Sequence, residues 1–161
     1  MRETSGQVDI RLLDLTDTAT VREILSIQRA AYDREARLIG FFEIPALKDT
    51  GQSIRESGET FYGYRIGNRL AGVISVQSQG GMAEICRLVT QPDYLRRGVA
   101  GQLLDFVERV VPTGCRVRVS TAADNKPALS LYTKRGFTQI RRHRSREGVE
   151  LIILEKRILE E

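Results

Sequence analysis

The stretch Tyr94 to Leu104, reading YLRRGVAGQLL, constrains what this chain can fold into more than any other. It sets a turn of small residues directly ahead of an amphipathic run, the arrangement that opens a helix N-terminus to an anion. Gly98, Ala100 and Gly101 leave little side chain between the backbone N–H groups and an approaching ligand, and Arg96 and Arg97 place positive charge beside them. Leu103, Leu104, Val107, Val110 and Val111 then recur at helical spacing up to Pro112, so the predicted cradle rides on a buried helix. A pyrophosphate is the ligand this geometry predicts.

The rest of the chain has to supply a core for that helix. At 161 residues, 41% of them hydrophobic, it is long enough for one well-buried core and short for two, so residues 1–161 read as a single domain. No run approaches the roughly 20 apolar residues of a membrane span, and MRETSGQVDI lacks the apolar centre of a signal peptide. A soluble, cytoplasmic protein without membrane partners is expected. Cys86 and Cys115 lie in apolar, strand-like surroundings that suit buried reduced thiols better than a disulfide framework. With 25 basic and 21 acidic residues the net charge is +4, too mild to indicate nucleic-acid binding but compatible with anionic ligands. The densest basic cluster, Arg141 to Arg146, reads as a solvated strand end and turn, and nucleic acid is not the partner expected on this charge.

Val8, Ile10 and Leu12 alternate with polar residues as a first strand, and Asp17 or Thr18 caps a predicted helix carrying Val21, Ile24, Leu25 and Ile27 or Gln28 toward Tyr32. From Asp33 to Thr50 the period is lost, which predicts a loop that opens a short helix near Ser53 to Ser57. Phe61 to Ile66 and Leu70 to Val76 read as a hairpin around Gly67-Asn68, with Met82 to Thr90 completing a meander. The cradle helix then leads to a strand over Cys115 to Ser120, a unit that implies parallel pairing. Asn125 to Arg135 predicts a second crossover helix with Gly136 at its C-terminal cap, and Phe137 to Arg144 with Val149 to Lys156 a terminal hairpin. The expected fold class is α/β (α+β): a central mixed, mostly antiparallel sheet of about seven strands flanked by about four helices.

Three elements therefore occur in fixed order: AEICRLVTQP, YLRRGVAGQLL and DNKPALSLYTKRGF. Together they resemble the GNAT superfamily of acyl-CoA-dependent N-acyltransferases. The family's Q/R-x-x-G-x-G/A signature is matched at Leu95 to Ala100, and its N-x-x-A-x-x-L-Y-x-x-x-G-F pattern at Asn125 to Phe137. Leu95 departs from the family's Gln or Arg, and Thr90 takes a place usually held by an apolar residue. The resemblance implies acetyl-CoA as cosubstrate without a metal. It assigns the pyrophosphate to the N–H groups of Arg97 to Gly101 beside Arg96, with Leu95, Val99 and Ala100 in the same turn. It lays the pantetheine along Leu88, Val89 and Thr90 like an added strand, and draws further contacts from Asn125, Ala128, Leu131 and Tyr132.

Acyl transfer from a thioester to an amine also needs an acid and a base. The Tyr132 hydroxyl, about 10 in unperturbed pKa, lies near the value of about 8.5 for a thiol and is the predicted general acid, although packing alone would also place a tyrosine there. Asn125 either bonds the pantetheine arm or caps the helix of Tyr132. Glu84, fourteen positions ahead of Gly98, is the predicted base by resemblance to family members with a glutamate at that offset, against the plain reading of a solvated strand residue. A backbone N–H near Val89 or Thr90 is the candidate for stabilising the tetrahedral oxygen, and Arg87 reads as structural. The acceptor is expected to be a small-molecule, peptide or protein amine entering between Asp33 to Thr50 and the hairpin at Arg141 to Glu150; Phe41, Phe42 and Glu43 read either as a loop packed onto the core, which is the favoured reading, or as an apolar pocket with one acid for the amine. A second copy of the chain is admitted as a homodimer partner. The rival readings are a non-catalytic acyl-CoA sensor and, after it, nucleic-acid binding through RRHRSR.

Overall fold

Residues 8–159 are described by a computed structural model, in which the predicted meander, crossovers and terminal hairpin close into one mixed sheet. The strands are β1 (Asp9–Leu12), β2 (Thr60–Ile66), β3 (Arg69–Gln79), β4 (Met82–Thr90), β5 (Arg116–Ala122), β6 (Thr138–Arg144) and β7 (Glu150–Arg157). The helices are α1 (Thr18–Ile39), α2 (Gly51–Arg55), α3 (Val99–Val110) and α4 (Lys126–Lys134). Strand order is β1-β2-β3-β4-β5-β7-β6, and β4 with β5 is the parallel pair among otherwise antiparallel neighbours.

Each face of the sheet has its own core. Val21, Ile24 and Ile27 of α1 and Ile54 of α2 bury Phe61, Leu70, Val73 and Val89. On the other face Val99, Leu103, Leu104 and Val107 of α3 and Tyr132 of α4 pack with Ile74, Val76, Ile85, Val117 and Val119. A Cβ on Gly72 would come within 2.5 Å of Val99 and 3.0 Å of Leu103, so this glycine lets α3 lie directly on β3.

A bulge in β4 decides which side chains reach which face. Ser75 pairs with Arg87 and Val76 with Ile85, leaving Cys86 as the extra residue. Ile85 therefore joins the α3 core while Val89, of the same parity, joins the α1 core. Cys86 is exposed and Cys115 buried, so one of the two thiols expected inside stands at the surface because the bulge turns it out.

Three further expectations change. Helix α1 does not end near Tyr32 but runs to Ile39, where Gly40 at φ 71° closes it with an N–H donated to the Ala36 carbonyl. Gln28, Tyr32 and Ala36 continue the inner stripe, but one is polar and one small, which hid the period. The remaining segment forms a 3-10 turn at Pro45–Lys48 before α2, which Thr50 caps with Ser53. At the first strand Leu12 is 66% exposed and Leu13 takes the core position, with its N–H donated to the Phe61 carbonyl.

Candidate functional site

The pairing of β4 with β5 stops early. Met82 to Ile85 are matched with Arg116 to Val119, and beyond them β4 stays bonded to β3 while β5 stays bonded to β7. The inner edges of the two strands thus part with backbone groups unpaired, a fork that an extended ligand can enter as an added strand. Leu88, Val89 and Thr90 lie along its β4 edge. A cavity of about 420 Å³ occupies the fork, walled by Ile85 to Leu88, Val119 to Thr121, Asn125, Ala128 and Tyr132, and on the other side by Tyr32, Glu35, Ile44 to Ala46, Asp49 and Glu59.

At the fork's end the chain turns through Pro92–Tyr94 into α3. Arg96 has φ 65° and Gly98 φ 79°, two left-handed positions that fold the backbone around Arg97. A Cβ on Gly98 would meet nothing within 4 Å, so the glycine serves conformation rather than space. The Gln102 N–H reaches back to the Gly98 carbonyl at 3.0 Å, which leaves the N–H groups of Val99, Ala100 and Gly101 ahead of the first helical bond. Exposed Arg96 and Arg97 flank these donors, and Arg97 lies 5.1 Å from the centre of the Tyr94 ring. Free donors, αL turns and two cations fit a pyrophosphate. Gly101 has a second reason: a Cβ there would run into the Arg135 guanidinium, which bonds Asp105 at 3.1 Å. Val99 is buried in the core, Leu95 is exposed, and Leu131 is half-buried.

The Asn125 side chain caps α4, accepting from the Ala128 N–H at 3.2 Å. Tyr132 is 5% exposed, stacks edge-on with Phe137 at 5.6 Å between centres, and lines the cavity, its hydroxyl without a hydrogen-bond partner among the described residues. Burial, and then the Glu35 carboxylate, push that hydroxyl above the usual phenol range. Burial likewise raises Glu35, against the pull of a hydrogen bond from Asn125. Partial loss of solvation, followed by the charges of Glu59 and Glu84, pushes the Cys86 thiol up to about 11, so it rests protonated in the fork.

Opposite α4 stands a network that the sequence did not announce. The bulge turns Arg87 toward α1, where its Nε donates to Glu59 at 2.8 Å and its Nη1 donates to Gln28 at 2.9 Å and to Asp49. Ser75 donates to Glu59 at 2.7 Å, and Gln28 donates to Asp49 at 2.7 Å. Arg87, Asp49 and Glu59 side chains are only 11 to 13% exposed. Burial alone would raise Asp49, but hydrogen bonds from Ser53, Gln28 and Arg87 hold it below its ordinary value. Arg87 was expected to be merely structural; it is part of the cavity wall. Gln28 was the legible clue, a polar residue in the apolar stripe of α1.

Glu84 is not brought to the cavity. It is exposed and pairs in register with Gln77 and Arg118, inside the closed part of the sheet before the fork opens. Phe41, Phe42 and Glu43 also stay outside, Phe42 being 61% exposed and Glu43 paired with Lys48, while Ile44 to Ala46 line the wall instead. The basic strand β6 is exposed throughout, with Arg142 bonded to Glu150 and Arg144 to the Gly148 carbonyl, contacts that hold the terminal hairpin.

The comparisons with known proteins agree with this geometry. A family model for the acetyltransferase (GNAT) domain matches residues 28–158. UPF0157 protein YqkA of Bacillus subtilis (strain 168) is 39% identical over 144 residues, covering 89% of this chain; the chain spans 42% of that protein's length. In fold the chain is similar to the ribosomal-protein-S18-alanine N-acetyltransferase of Escherichia coli, with TM-score 0.71, 18% identity and 96% of each chain covered. It is also similar to the PaiA N-acetyltransferase of Thermoplasma acidophilum in complex with coenzyme A, with TM-score 0.70, 20% identity, and 94% of this chain and 99% of that one covered. With the family match running through the fork, the cradle and Tyr132, the chain belongs to the GNAT acetyltransferases.

Proposed function

We propose that the protein transfers the acetyl group of acetyl-CoA directly to a primary amine within a ternary complex. The observation that carries this reading is the position of Tyr132, buried, unpartnered and lining the cavity of a strand fork whose open end leads into an anion cradle. The cradle N–H groups from Arg97 to Gly101 bind the pyrophosphate, and the free edge of β4 at Leu88 to Thr90 takes the pantetheine amides. A backbone N–H at Val89 or Thr90 supports the oxyanion as the amine attacks the thioester carbon. The C–N bond forms, the C–S bond breaks, and Tyr132 gives its proton to the departing sulfur. The incoming ammonium loses its proton to a base, and the phenolate of Tyr132 is reprotonated from the amine's second proton, so one proton reaches solvent per turnover. The name of the similar ribosomal-protein-S18-alanine N-acetyltransferase, an enzyme acting on an amine, supports this acceptor class.

Thiol release from acetyl-CoA is measured across amines, peptides and N-termini, and coenzyme A affinity is measured separately. Tyr132→Phe is expected to lower turnover by about 10²–10⁴-fold while leaving coenzyme A affinity unchanged. Tight cofactor binding with no amine-stimulated release would instead identify a sensor.

A further inference from the structure

We infer that the acceptor is a cation with no carboxylate beside its amine, and that Glu35 receives its ammonium group; this rests on the acetyl-transfer reading. The charged residues lining the cavity are Glu35, Asp49, Glu59 and Arg87. Arg87 is the cation among them, and its guanidinium is already engaged by Glu59, Asp49 and Gln28. No positive group in this wall is left for a substrate carboxylate. A zwitterion would bring an anion toward three carboxylates and lose its hydration without a partner.

Glu35 differs from the other two acids. Asp49 and Glu59 are held by Arg87 and by the neutral donors Gln28, Ser53 and Ser75. Glu35 has no Lys or Arg partner among the described residues, and the group beside it is the Asn125 amide. Its neighbours are Tyr32 on its own helix, Asn125 and Tyr132 from α4, and the Arg87 network across the cavity. The unpartnered Tyr132 hydroxyl, on a residue 5% exposed, lines the same space, so a ligand entering there finds one free carboxylate and one free phenol. An ammonium satisfies the first and a thioester sulfur the second. Glu35 thus takes the proton that Glu84, outside the fork, is not placed to take.

The test uses matched probes that differ by a carboxylate: alaninamide against alanine, and 1,5-diaminopentane against lysine. Each is titrated calorimetrically into the full chain saturated with coenzyme A. The member without the carboxylate is expected to bind about tenfold or more tightly in at least one pair, and Glu35→Gln to abolish that binding gain without changing coenzyme A affinity. Equal or tighter binding of the zwitterions, or an unchanged gain in Glu35→Gln, overturns the inference, as does no binding of either amine. Amine binding of the expected pattern without thiol release upholds it and overturns the transfer reading instead. Glu35→Asp, which keeps the charge, is expected to restore part of the selectivity that Glu35→Gln loses.

Discussion

The cradle at Arg96 to Gly101 offers a ligand backbone N–H groups from one unbroken stretch, whereas the opposite wall offers side chains gathered from α1, the turn before α2, the residue before β2, and β4. The first depends on conformation, two left-handed residues and a helix start, and the exposed side chain just ahead of it, Leu95, is free to depart from the family pattern. The second depends on every partner at once. Arg87 has meaning only because a bulge at Cys86 aims it at Glu59 and Asp49, residues 28 and 38 positions away. One site is thus written in spacing and the other in topology.

Removing the arginine should break that contrast most severely. Arg87→Met leaves Asp49 and Glu59 buried without their shared cation and is expected to cost about 3–5 kcal/mol of stability, read from the shift of a urea unfolding midpoint. A loss below about 1 kcal/mol would mean that the wall behaves like a surface ion pair. The cradle should respond differently. Gly98→Val forces a β-branched residue to φ 79°, with a strain of about 1–2 kcal/mol, and because space around it is open the effect is conformational. Its coenzyme A affinity should fall, while Gly98→Asn, which tolerates the left-handed region, should retain most of it.

This division also explains what could be read from the chain. The meander, the parallel unit at β4 and β5, the terminal hairpin and the two cofactor-side helices follow from alternation, helical period and turn residues that are contiguous in sequence. Helix α1 beyond Tyr32 did not, because the buried stripe continues there through Ala36, which carries little apolar signal. The Cys86 bulge left no trace in the pattern of AEICRLVT, and strict alternation gives no hint that Ile85 and Val89 serve different cores. Glu84 was chosen by its offset from Gly98, but an offset along one strand says nothing of where the neighbouring strand departs. Glu35, Asp49 and Glu59 could be found only once three remote segments were folded together.

A smaller effect separates the two roles of Asn125. Asn125→Ala removes the cap on the Ala128 N–H and is expected to cost about 1 kcal/mol. If the amide also steadies Glu35, the same variant should weaken amine binding with little change in coenzyme A affinity, whereas a cap alone would leave both intact in the folded fraction.

The smallest expected effect is the most diagnostic of the acidic wall. Burial holds Glu35 above its ordinary value of 4.5 in the folded protein, so folding binds a proton there that the unfolded chain releases. Stability from this group is therefore complete below the unfolded value and declines as pH rises through the folded one. Ionising this carboxylate opposes folding, with Tyr32, Tyr132, Glu59 and Asp49 around it and Arg87 committed elsewhere. Glu35→Gln removes that opposition, and its melting temperature should exceed that of the parent at pH 7 by about 2–4 °C for each kcal/mol relieved. The gap should vanish near pH 4, where both side chains are neutral. A variant that is more stable and yet loses amine binding would identify Glu35 as a charge kept in the fork for its ligand; one that is less stable at both pH values would make it part of the packing.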